Sequence, residues 1–200
     1  MKVYTQEEFD KFPLGENFRK QCPYGDYSLI RKFPGYCDFA TGSRFGTLCE
    51  FGEECCFGYG CSFGEDCQFG AYCEFGGNCR FDCGNQFGEG CRFGFDCTFG
   101  GWCKFGEENE FSGWHTFGVC CECEFGELEK VYSVSGFSSV GRPTYFYYLC
   151  SGEIYVRCGC FTGTTTEWES AVEETHGHNR WAKSYLSIGK AVREICEDDL

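Results

Sequence analysis

A chain of 200 residues is long enough for one ordinary domain or two small ones. Its net charge of −14 argues against direct contact with nucleic acid or an anionic membrane. No apolar run is long enough for a transmembrane helix, and the start, MKVYTQEEFDKF, lacks the apolar core of a secretory signal.

Residues 1–32 read as an N-terminal cap. Thr5 with Glu8 forms a capping box that opens a short helix, and Pro13 with Gly15 closes it. A cap is needed because the end of a repeat stack exposes strand edge and apolar core.

From 33 to 126 the chain keeps a period of six. Phenylalanine holds every sixth place from Phe33 to Phe117, fifteen in phase. Glycine follows it in eleven of the fifteen units, and cysteine holds the fifth place of the unit in eleven, giving Cys-x-Phe-Gly-x-x. A period of six excludes an α-helix. Residues two apart share one face of a strand, so Cys and Phe point inward together. Twenty cysteines would suggest a disulfide scaffold in a secreted chain. Here the spacing reads most of them as small buried hydrophobes, with a metal ladder or disulfide stack down the column as the alternative.

The unit resembles the left-handed hexapeptide β-helix, in which three short strands close an 18-residue triangular coil. Phe stands for the usual aliphatic residue, and Cys for the usual small one. The resemblance implies about five coils. Stacking by 18 then places Glu74, Arg92 and Glu110 in one outward column, a candidate ion-pair ladder. Residues 33–126 hold 15 acids and 4 bases. Eight of the acids fall at turns: Glu53, Glu54, Glu65, Asp66, Glu89, Asp96, Glu107 and Glu108. They are candidates for a surface that imitates a polyanion. Trp102, Trp114, Phe95 and Val119 decorate turns and are candidates for docking the C-terminal domain or a partner. The repeat breaks where Asn85, Asn109 and His115 take the cysteine place. Inward Asn is expected to bond to backbone or to a neighbouring Asn, and His115, the only histidine of the repeat, reads as a core or rim histidine or a catalytic base.

Residues 127–200 read as a small α+β domain. Strands are expected over 130–139, 144–150 and 153–161. Thr166 with Glu169 would cap a helix ending before Gly177, and a second helix would run from Asn179 to Ile195. That second helix would carry Trp181, Tyr185, Ile188, Val192 and Ile195 on one side. Cys150, Cys158, Cys160, His176 and His178 are weak zinc candidates whose spacing fits no standard structural site. No bound metal or cofactor is therefore expected.

Several segments together resemble a group of small phage and prophage proteins of unknown role. They are CPYGDYS at 22–28, the Cys-x-Phe-Gly units, IYVRCGCFTGTTTEW at 154–168, EETHG at 173–177 and WAKSYL at 181–186. The resemblance implies a bacterial host cytoplasm and a part in phage–host conflict or phage physiology. It brings no established chemistry. The sequence holds no nucleophile–base constellation, Walker loop or HExxH motif. The expected function is thus a non-enzymatic β-solenoid binding protein, acting on a host nucleic-acid-binding or defence protein. The alternatives are a self-assembling structural or filament protein, with a homotrimer left open, a trap for a signalling nucleotide using Arg142, Arg157, Arg180 and Lys183, or an acyltransferase using His115.

Overall fold

The computed structural model describes residues 1–198 apart from 16, 114 and 137–142. The described chain is mainly β and divides into two compact units, Met1–Glu124 and Phe125–Leu200.

The first unit is a parallel β-solenoid. Its strands are mostly two residues long and pair with strands 18 residues away: Phe33 with Phe51, Phe51 with Phe69, Phe57 with Phe75 and Phe63 with Phe81. Three parallel sheets result. The first runs from Lys20–Cys22 to Glu110–Phe111, the second from Lys32–Phe33 to Glu122–Cys123, and the third from Ser62–Phe63 to Thr116–Phe117. The solenoid makes about six turns rather than five, because the expected cap contributes to it. Lys20–Cys22 pairs in parallel with Cys37–Phe39. Tyr27, six residues before Phe33, fills the Phe place and stacks on Phe45 at 5.4 Å. The helix Gln6–Asp10 opens with the Thr5–Glu8 capping box and lays Phe9 against Phe33 and Phe39.

The lumen is a continuous aromatic array. Down each sheet, rings stack nearly parallel, as in Phe63 on Phe81 at 4.8 Å and 4°. Within a coil they meet edge to face, as in Phe63 with Phe69 at 5.1 Å and 86°. Both geometries suit the ring quadrupole. The second place of the unit is glycine because successive coils touch there. A Cβ on Gly76 would lie 2.7 Å from the Tyr59 nitrogen, and one on Gly118 would lie 2.4 Å from the Gly101 nitrogen.

No disulfide joins any two cysteines among the described residues. The inward ones donate to turn carbonyls: Cys97 Sγ to Gly94 O at 3.2 Å and to Gly76 O at 3.5 Å. Ser43 uses the same geometry, Oγ to Ala40 O at 2.7 Å. Asn85 does more. Its Nδ2 donates to Asp82 O at 2.6 Å, and its Oδ1 accepts the Cys67 N–H from the coil before at 3.0 Å. Asn109 repeats this with Gly106 O and the Cys91 N–H. The cysteine place is therefore a slot for a small hydrogen-bond donor. The stacked neighbour Cys79 and burial hold the Cys61 thiol far above its ordinary pKa.

The second unit is an antiparallel sheet in chain order, Gly126–Val134, Thr144–Leu149, Ile154–Cys158 and Phe161–Thr164. Four strands stand where three were expected. Gly159, at φ 63°, turns the chain sharply and folds Phe161–Thr164 back on its neighbour. The first strand begins at Gly126, earlier than expected; the expected residues 137–139 lie outside the described residues. The helix Thr165–His176 is capped by Thr164 with Glu167, not by Thr166 with Glu169; all three threonines suit the cap, and the hairpin selects the first. The helix Arg180–Asp198 buries Ala182, Tyr185, Val192 and Cys196. Ile195, expected on this face, is 49% exposed. The face includes Gly189, where an added Cβ would come 2.6 Å from Trp168 Cζ3. Trp168 fills the resulting space and centres a cluster with Phe146, Val156 and Tyr185.

Candidate functional site

Turn residues of successive coils stack into three corners, tied by backbone hydrogen bonds. One corner holds Tyr36, Glu53, Glu54, Tyr72, Glu89, Glu107 and Glu108, with bonds from Tyr36 N to Glu53 O, Tyr72 N to Glu89 O and Gly90 N to Glu107 O. It joins the first and second sheets. The remaining acids lie elsewhere. Glu65 and Asp66 share a corner with Leu48, Trp102 and Val119, and Asp96 shares the third with Tyr59 and Phe95. The eight acids are thus divided five, two and one, and five carboxylates form one acidic edge. Trp102 is 60% exposed. Trp114 lies outside the described residues.

The acidic edge is held in place by its backbone. Glu54, Tyr72 and Glu108 all adopt left-handed φ values of 54° to 59°. Side chains there leave the turn outward, and Glu53, Glu89, Glu107 and Glu108 are exposed. Glu54 is half-buried beside Arg19, whose Nη1 lies 4.0 Å from its carboxylate. The two tyrosines line the same edge. Tyr72 donates its hydroxyl to Glu89 at 3.0 Å, and this bond holds the phenol above its ordinary pKa. The charge of Glu54 does the same to Tyr36.

Beside this edge, the outward column of the first sheet forms a charged ladder. Arg19 Nε pairs with Asp38 at 2.5 Å, and Arg92 bridges Glu74 at 3.3 Å and Glu110 at 3.2 Å. Cys56 sits in this column, 2.9 Å from Arg19 Nη2, and burial pushes its thiol up to about 11. It is a protonated side chain at neutral pH, unsuited to nucleophilic work. A hollow of about 180 Å³ lies among Arg19, Glu54, Cys56, Tyr72, Glu74 and Arg92.

His115 occupies the inward slot at the far end of the lumen, 5.4 Å from the Phe111 ring and 6.1 Å from that of Phe99. Both ring nitrogens are buried, with no hydrogen-bond partner among the described residues. Burial pushes its pKa down to about 4. An acyl-transfer base must reach its substrate, and this imidazole faces phenylalanine.

In the second unit the zinc candidates do not converge. Cys150 and Cys160 are exposed, Cys158 accepts the Thr144 hydroxyl at 3.1 Å, and His176 stacks on Tyr185 at 5.4 Å. His178 is exposed just beyond Gly177. Among the described residues no three such side chains form a group that could hold a metal ion. No described helix is long and apolar enough to cross a membrane.

Two features of the surface escape a six-residue reading. Tyr36 and Tyr72 join the acidic edge only when the chain is read in steps of 18. The same step isolates Arg44 and Arg80 on the third sheet. No protein-family model, curated protein or solved structure matches the chain.

Proposed function

We propose that this protein is a non-enzymatic binding protein whose acidic edge imitates a nucleic-acid backbone and occupies the basic surface of a host protein. The observation that carries the reading is the line of five carboxylates, Glu53, Glu54, Glu89, Glu107 and Glu108, on one stacked corner. At about 4.8 Å per coil these charges span roughly 14 Å, falling two, none, one and two on four successive coils. A DNA strand carries one phosphate per about 3.4 Å of helix axis. Parallel strand pairing fixes the spacing, so a basic partner meets the charges without ordering a flexible chain first.

The resemblance to phage and prophage proteins supports a host nucleic-acid-binding or defence protein as the target, met in the bacterial cytoplasm. The hexapeptide resemblance supports a left-handed, triangular coil, which would make the acidic corner a narrow, straight ridge.

Capture from host lysate tests the reading. Wild-type protein on a resin should retain basic nucleic-acid-binding proteins, and double-stranded DNA should release them. A variant with all five glutamates changed to glutamine should retain them at least about tenfold less. Equal retention by both proteins, or capture that DNA does not compete, would remove the proposal.

A further inference from the structure

The third sheet is the one that does not border the acidic corner, and it carries the opposite charge. Its outward column reads Asp26, Arg44, Ser62, Arg80, Thr98 and Thr116. On the other two sheets the cations are matched within the column: Lys32 with Glu50, Lys104 with Glu122, and Arg92 between Glu74 and Glu110. Arg44 and Arg80 are both exposed; no salt bridge to Arg80 forms among the described residues, and Arg44 stands in register beside Asp26, whose carboxyl is held below its ordinary pKa by Ser28 first and by the Arg44 charge as well. Asp26, at the end of the column, receives the Ser28 N–H at 2.9 Å.

We propose that the Arg44–Arg80 face receives the acidic corner of a second copy of this chain. This rests on the reading of that corner as a docking surface, and it adds a particular partner. The argument is charge complementarity at matched spacing. Arg44 and Arg80 are two coils apart, and so are Glu53 and Glu89. Both separations are about 9.6 Å, because both are set by the same strand spacing. The coil between them also matches. Ser62 lies between the arginines, and Ala71 with Tyr72 lies between the glutamates, so the middle coil carries no charge on either side. Thr98, one coil beyond Arg80, falls opposite Glu107.

The two surfaces are different patches of one molecule, so the contact is heterologous. Donating the corner leaves the arginine face free. Copies therefore join in a closed ring or a growing row. The net charge of −14 opposes approach at long range, but that repulsion is screened beyond about 10 Å at roughly 0.1 M salt. Contact pairs survive there and weaken near 1 M, where the screening length is about 3 Å.

Sedimentation velocity over a concentration series tests this with full-length chains. Wild type should self-associate at roughly 0.1 M salt and dissociate near 1 M. The charge reversals R44E/R80E and E53R/E89R should each weaken self-association by about tenfold or more. Mixing the two variants should restore a complex, since each supplies the surface the other has lost. Circular dichroism matching wild type shows that the variants are folded. A wild type that stays monomeric throughout, reversals without effect, or folded variants that fail to complement would each overturn the proposal. Lysate capture by R44E/R80E separates the two readings. R44E/R80E should retain basic proteins as wild type does, and a wild type that retains them yet stays monomeric loses only the homotypic contact.

Discussion

At the scale of single residues, the inward slot two places before each phenylalanine sets the chemistry of the lumen. It asks for a small side chain that can donate to a turn carbonyl. Cysteine does so weakly, and Ser43, Asn85 and Asn109 do so more strongly. His115 is the exception, an imidazole with no partner among the described residues. An unfolded histidine titrates near 6.5, whereas His115 in the fold does so at about 4. Between these values the unfolded chain binds the proton and the folded chain does not. Stability from the neutral imidazole is therefore complete above about pH 6.5 and is lost as pH falls toward 4, by up to about 3 kcal/mol. The substitution His115→Asn should remove this slope, since Asn already serves two equivalent slots. Urea unfolding of both proteins across this pH range checks it. A wild-type-minus-variant difference that stays constant with pH would contradict the assignment. The slot was legible as inward from the period of six, but its demand for a donor was not. Sequence shows cysteine, serine and asparagine in one place and gives no sign that a carbonyl waits opposite.

At the scale of elements, strands of two residues have almost no stability of their own. They persist because each coil is pinned by the next, and glycine permits that contact. A methyl group on Gly76 would press on the Tyr59 backbone at 2.7 Å, and backbone cannot rotate away. Gly60 has φ 68° but nothing within 4 Å of an added Cβ. Gly76→Ala should therefore cost at least about 2–3 kcal/mol by forcing the coils apart. Gly60→Asn should cost under about 1 kcal/mol, because Asn tolerates the left-handed region. Thermal or urea unfolding gives the order, and equal losses would refute the coil-contact account. Read in sequence, both glycines belong to turns. The same limit affects the helix Arg180–Asp198, where Ile195 looked like a core residue and Gly189 did not. Periodicity weighs hydrophobicity and misses the place where a small residue makes room for Trp168.

At the scale of the molecule, the lumen joins fifteen phenylalanines and Tyr27 into one aromatic stack, and the thiols lie between it and the turns. This division predicts reactivity. Cys120, Cys150 and Cys160 are exposed and should react at once with a soluble thiol reagent. The eleven cysteines at the repeat's inward place are buried and should react only as the chain unfolds. Mass spectrometry after timed labelling counts both classes. Rapid modification of Cys61, Cys79 or Cys97 in the folded protein would show that the column is open. The surface divides as cleanly. One edge concentrates carboxylates, two sheets neutralise their own cations, and the third carries Arg44 and Arg80 with Asp26 as the one acid in its column.

The six-residue beat determined the solenoid and its inward phenylalanine and cysteine, because phenylalanine keeps the period from Phe33 to Phe117 without a gap; the Glu74–Arg92–Glu110 ladder followed once the resemblance set the coil at 18 residues. The tertiary structure decided three further things. It brought Tyr27 and Lys20–Cys22 into the stack, put glycine at the points where coils meet, and divided the acids among three corners. Each depends on atoms about 18 residues apart in the chain but one strand spacing apart in space. A local pattern records only the repeat, whereas the meaning of each position comes from the coil stacked on it.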